Sequence, residues 1–182
     1  MRLRRDIEIA APIERVFEFI DEPGNYPALR PQIVRVLETQ RLPHGGCEVR
    51  YLTRDDWDDR LSFEWVSRDI EYDPPRRMVT EATASSQARK LTGAIIPDWG
   101  IDTRVVSCKE LRPTERGVLL SVDNCWYFRA RRFGRLHLLE VGMYWEQRQR
   151  LQRYLQAVKT GMEQAVSGLV KQGTRRTCGL CL

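Results

Sequence analysis

The chain has 182 residues, 42% of them hydrophobic and 30% charged, with a net charge of +5 and five cysteines. That length suits one domain able to bury its own core without metal or disulfide support, and the odd cysteine count argues against a disulfide framework. No apolar run approaches the roughly 20 residues needed to span a bilayer; the basic start Met1-Arg2-Leu3-Arg4-Arg5 leads into Asp6 and Glu8 rather than an apolar segment, so no secretory signal is read and a cytoplasmic location is expected.

Ile7 and Ile9 alternate with Asp6 and Glu8, the pattern of a half-buried strand, until Ala10-Ala11-Pro12 breaks it where proline can open a helix. Val16, Phe17, Phe19 and Ile20 give that short helix its apolar face. Asp21, Pro23, Gly24, Asn25 and Pro27 stop it and leave room for one further helical turn before Pro31. Strands are expected next at about 33–41, 47–54, 60–72, 76–84, 101–111 and 118–128, joined tightly enough to be antiparallel. Pro43-His44-Gly45-Gly46, Pro74-Pro75 and Arg112 to Gly117 form the turns, Gly117 being free to adopt positive φ. From about 139 to 171 there is no proline, and Leu151, Leu155, Val158, Met162, Ala165 and Leu169 recur at helical spacing, with Tyr144 two turns earlier on the same face. Gly161 and Gly168 mark a bend or a close approach to the sheet, and Gly173 is expected to end the helix. Residues 1–172 form the expected domain and 173–182 a C-terminal tail.

The strand Ile7-Glu8-Ile9, the segment Ala11-Pro12-x-Glu14-x-Val16-Phe17-x-Phe19-Ile20, then Asp21, Asn25, Tyr26, Pro27 and Pro31, together resemble the opening of the START-like (SRPBCC) superfamily, especially its polyketide cyclase/dehydrase and lipid-transport branch. Leu151, Tyr154, Leu155, Val158, Lys159 and Glu163 resemble its closing helix. The resemblance implies an α+β helix-grip fold: a seven-stranded antiparallel sheet wrapped around a long C-terminal helix, with two short helices after the first strand. It implies no single activity, since the scaffold carries transporters, cyclases, hormone receptors and chaperone cofactors.

A sheet gripping a helix does not fill its interior automatically, and an apolar gap with a few polar groups is how small-molecule sites are built. Strand alternation turns Val49, Tyr51, Phe63, Trp65, Val118, Leu120, Val122, Asn124 and Trp126 toward the helix, opposed by Leu151, Tyr154, Leu155 and Val158. The candidate ligand-binding residues are Tyr51, Phe63, Trp65, Asn124, Trp126, Phe128, Tyr154 and Val158, with Asn124 and Tyr51 orienting a ligand's polar groups and Trp65 and Trp126 stacking on its body. For each, plain core packing is the competing reading. Ser85–Gly100 reads as a self-packing loop, a flap over the cavity or a membrane-touching loop. In proteins this chain resembles, the loop corresponding to Phe128–Arg135 borders the pocket entrance, which would make Phe128 and Phe133 gate residues; surface packing is the competing reading.

Catalytic signals are scarce. His44 sits in a turn and His137 beside basic residues, neither with a visible partner, and no GxSxG, HExxH or phosphate-cradling loop occurs. Asp69 shares the parity of Trp65 but lies near its strand's end, which favours a solvated carboxylate, while Arg68 and Asp123 fall on the outward parity. Asp55-Asp56-Trp57-Asp58-Asp59 lacks calcium-loop spacing and reads as a solvated acidic tip. Cys47, Cys108 and Cys125 read as small buried thiols; Cys178 and Cys181 supply half a zinc site, so neither metal nor cofactor is expected. Residues 145–182 hold seven Lys or Arg and two Glu, the whole excess of positive charge. With no RNA-reading motif beside them, these mean a solvated helix face rather than nucleic-acid binding, a membrane surface being the weaker alternative. The sequence therefore favours binding of a hydrophobic small molecule such as a lipid, quinone or polyketide. A cyclase/dehydrase-type enzyme and a protein-interaction module of the chaperone-cofactor kind remain as alternatives.

Overall fold

The structure is a computed structural model that describes residues 1–54, 61–90, 101–130 and 137–176, with side chains described for 1–54, 62–84, 103–127 and 144–165. The acidic tip, the 91–100 part of the proposed flap, Phe133 and the Cys178/Cys181 pair lie outside the described residues, as do the side chains of Phe128 and His137.

Strand β1 (Arg2–Ile9) leads into α1 (Ile13–Asp21), a single 3₁₀ turn (Pro23–Asn25) and the one-turn α2 (Tyr26–Leu29). Proline at the α1 N-cap holds φ at −61° and ψ at 145°, an extended entry that a helix start tolerates. The sheet continues with β2 (Ile33–Arg41), β3 (Cys47–Arg54), β4 (Leu61–Asp73), β5 (Arg77–Lys90), β6 (Ile101–Thr114) and β7 (Gly117–Ala130), and α3 (His137–Arg176) closes the chain. Strand order is β1-β7-β6-β5-β4-β3-β2, with every neighbouring pair antiparallel. This is the seven-stranded helix-grip arrangement.

Several elements run longer than the sequence reading, two of them markedly. β5 runs on through Lys90, so the first part of the Ser85–Gly100 segment belongs to the sheet, and α3 passes Gly173 to reach Arg176. A glycine costs a helix about 1 kcal/mol, too little to end one this long by itself. Gly161 marks a close approach, though to α1 rather than to the sheet: a Cβ there would sit 2.8 Å from Phe19 Cζ. Tyr144, expected on the buried stripe, is exposed and stacks edge-on with Trp145.

The core divides in two. Ile9, Val16, Ile20, Leu120 and Val158, none more than 1% exposed, lock α1, β1 and β7 against α3. A smaller cluster of Tyr26, Ile33, Cys47, Val49 and Tyr51 packs α2 against β2 and β3. Gly117 makes the first cluster's geometry feasible: its φ is +144°, and a Cβ would lie 2.2 Å from the Ile9 carbonyl oxygen. At the opposite edge, β2 is mostly exposed, charged and broken by two register shifts, which discourages pairing with another sheet. The space between the two clusters, under α3, is where the site lies.

Candidate functional site

A partly open cavity of about 120 Å³ lies between the inner face of the sheet and α3. Tyr51 from β3, Trp65 from β4, Asn124 and Trp126 from β7, and Tyr154 from α3 all line it. Tyr51 and Tyr154 are buried, and Trp65 donates its indole N–H to Thr53 Oγ1 at 3.1 Å. Trp65 and Trp126 meet edge to face with centroids 6.5 Å apart, so the two rings pack on each other and present one aromatic corner instead of a slot for a flat ligand. Among the described residues, none donates to Asn124 Oδ1, although that oxygen is shielded from solvent.

The other three candidates are placed differently. Val158, one turn beyond Tyr154 on α3, is fully buried in the larger core cluster and does not border the cavity. Phe63 is half-buried and outside the lining; a register shift between Phe63 and Trp65, which pair with Ala88 and Ala84 on β5, separates their settings despite their shared parity. Phe128 pairs through its backbone with Thr103, and its side chain lies outside the described residues.

Sequence reasoning missed Arg30, which belongs to the wall. It follows α2 with φ −135° and ψ 88°, a conformation that suits a residue preceding proline. Its guanidinium lies over the rings of Tyr26 and Tyr154, at 5.8 and 5.2 Å from their centroids. Burial pushes the pKa of Tyr26, Tyr51 and Tyr154 upward, and Arg30 opposes it without reversing the direction. All three phenols are therefore neutral at physiological pH. The remaining polar lining comes from Gln32, Thr53, Ser67, Thr80, Ser107, Gln147 and Arg150.

A second polar group sits behind the cavity, and here the sequence reading of Asp69 is corrected. Its carboxylate is 2% exposed, accepting from Cys47 N at 2.9 Å, Cys47 Sγ at 3.4 Å and Thr80 Oγ1 at 2.9 Å. Gly46 explains how it fits, since a Cβ there would lie 2.7 Å from Asp69 Cβ. The Gly45-Gly46 pair was thus the available signal. His44 also has a partner, its Nε2 lying 3.0 Å from the Asp69 carbonyl oxygen. Nearby, Asp21 Oδ2 accepts from Tyr72 Oη at 2.9 Å and from Arg41 at 3.3 Å, while Oδ1 has no partner among the described residues. One ligating atom each from Asp21, Cys47 and Asp69 lies within 4.8 Å of the others, a grouping not expected from sequence. Burial, then the neighbouring Asp69, pushes the Cys47 thiol up to about 12, and the existing hydrogen bonds already engage Asp21 Oδ2 and Asp69 Oδ2. The group reads as a structural network that ties α1 to β2 and β4, and β4 to β3. Lys109, 3% exposed, donates to Met78 Sδ at 3.3 Å, and burial lowers its pKa to about 8. Cys108 and Cys125 are half-buried free thiols.

No family model and no curated protein matches the chain. Solved structures do. A START superfamily protein from Mycobacterium smegmatis, 15% identical, covers 90% of this chain and 98% of its own with a TM-score of 0.62. The chain has a START-like fold. An uncharacterized protein from Rhizobium leguminosarum agrees equally well, at 15% identity, 90% and 95% coverage and a TM-score of 0.62. The di-domain ARO/CYC StfQ of the steffimycin biosynthetic pathway is 12% identical with a TM-score of 0.65 over 91% of this chain, which spans 51% of that two-domain protein. Among the described residues, no helix of this START-like chain is long and apolar enough to cross a membrane.

Proposed function

We propose that this START-like chain binds a small apolar molecule carrying at least one hydrogen-bonding group, in the cavity between the sheet and α3. The observation that carries the reading is Asn124 Oδ1: a shielded acceptor with no donor among the described residues, on the wall of a cavity formed also by Trp65, Trp126 and Tyr51. A buried acceptor left unpaired costs about 1–3 kcal/mol, which a ligand hydroxyl or N–H would recover. The volume of about 120 Å³ is close to that of cavities that accept one benzene ring, so the buried part of the ligand is a ring or short chain. A longer lipid, quinone or polyketide would extend outward past Arg30.

A second reading, a cyclase or dehydrase acting on a polyketide-like chain, draws support from the likeness to StfQ. Such chemistry needs a group that exchanges a proton near neutrality. The ionisable side chains of the lining are Arg30, Arg150, Tyr51 and Tyr154, with burial pushing both tyrosines upward. That inventory favours holding a ligand over transforming it.

Native mass spectrometry of gently purified protein tests the proposal. A small organic adduct is expected on the wild type and not on Asn124→Leu. A ligand-free wild type that also takes up no apolar fluorescent probe would remove the binding reading.

A further inference from the structure

We propose that the ligand is an amphipathic acid, its carboxylate or phosphate head seated on Arg30 and its apolar body in the cavity. This rests on the binding reading above and adds the ligand's chemical class.

The guanidinium of Arg30 offers five N–H donors and a permanent charge. The groups in direct contact with it are neutral: the ring faces of Tyr26 and Tyr154 and, through hydrogen bonding, the hydroxyls of Tyr51 and Tyr154. Among the described residues no carboxylate pairs with it, whereas Arg41, Arg50 and Arg77 each meet an Asp or Glu. A partly desolvated cation without a counter-charge is costly, and the tyrosines do not ionise at physiological pH to supply one.

Arg30 also lies where two spaces meet. Outside the aromatic cavity is a cleft of about 180 Å³ walled by Leu29, Pro31, Gln32 and four arginines: Arg30, Arg54, Arg150 and Arg153. Arg30, Gln32 and Arg150 border both spaces. Arg150 pairs with Glu146 at 2.6 Å and Arg153 donates to Gln149 Oε1 at 3.3 Å, yet no acidic residue lines the cleft itself. Four cations converging on one recess repel one another, and an anionic head reverses the sign of that interaction. The planar guanidinium suits a bidentate oxyanion. The apolar body would then occupy the cavity that Arg30 shares with Trp65, Trp126 and Asn124.

Calorimetric titration of the full chain with phenylacetate, benzyl phosphate and the neutral phenylacetamide tests this. One or both acids should bind about tenfold or more tightly than the amide, the stronger acid naming the head, and the preference should weaken with added salt and collapse in Arg30→Gln. Equal binding of acids and amide would overturn the acidic head while leaving the cavity reading intact; no binding by any probe would defeat both. A preference that survives in folded Arg30→Gln also overturns it. Should that variant fail to fold, the exposed pair Arg54→Gln/Arg153→Gln must lower the acid preference without changing Tm, and an unchanged preference there counts against the proposal.

Discussion

Asn124 and Leu120 stand four residues apart on β7, which alternation turns to the same side of the sheet, and they meet different surroundings. Leu120 is fully buried in the main core, whereas Asn124 borders the cavity and its shielded side-chain Oδ1 has no donor among the described residues. Leu120→Ala should cost about 2–5 kcal/mol in urea denaturation. Asn124→Leu removes an unsatisfied acceptor and should leave stability near the wild type, while weakening a hydroxyl-bearing ring probe by about tenfold; equal losses of folding and binding would make Asn124 a core residue. Lys109 gives a test by pH. Burial, then Arg30, lowers its pKa from 10.5 to about 8, and Asp69, Asp21 and Cys47 only partly offset this. Between those values the unfolded chain binds the proton more readily than the folded one, so this group's contribution to stability rises with pH across the window. Lys109→Met should therefore be more stable than wild type by up to about 3 kcal/mol at pH 7, with the advantage fading by pH 10.5. An advantage that does not change with pH would mean that packing, not charge, sets it. The aromatic lining was legible because strand alternation reports facing directly. Arg30 and Asp69 were not, because their burial depends on partners from α3 and from the Gly45-Gly46 turn, which no local pattern announces.

At the scale of elements, the order and type of every described segment follow from periodicity and turn chemistry, since long strands and one proline-free amphipathic helix leave few arrangements. What periodicity did not reveal was register. The shift between Phe63 and Trp65 on β4 sends two residues of equal parity to different environments, and β5 continues past the point where its apolar alternation fades because β4 still pairs with it through Lys90. The β6–β7 turn behaves as its glycine requires, with Gly117 at φ +144° pressed against the Ile9 carbonyl. Gly117→Ala must clash with backbone rather than with a movable side chain, so thermal unfolding should show a loss of at least about 2 kcal/mol. A near-neutral substitution would show that β1 and the turn can part without cost.

For the whole molecule, the division of the interior is what the binding proposal rests on. One end of the grip is solid core, where α1, β1 and β7 meet α3; the other keeps a cavity of about 120 Å³ between aromatic and polar walls. The likeness to solved structures, at 12–15% identity, carries the fold alone. The most direct test of that cavity is a ¹H–¹⁵N titration with phenylacetate, followed through assigned indole N–H signals. Trp65 and Trp126 line the cavity, whereas Trp145 is 57% exposed on the start of α3 and serves as an internal control. Saturable shifts at Trp65 and Trp126, with Trp145 unmoved, are the result this account requires; shifts confined to Trp145, or none at any indole, would contradict it.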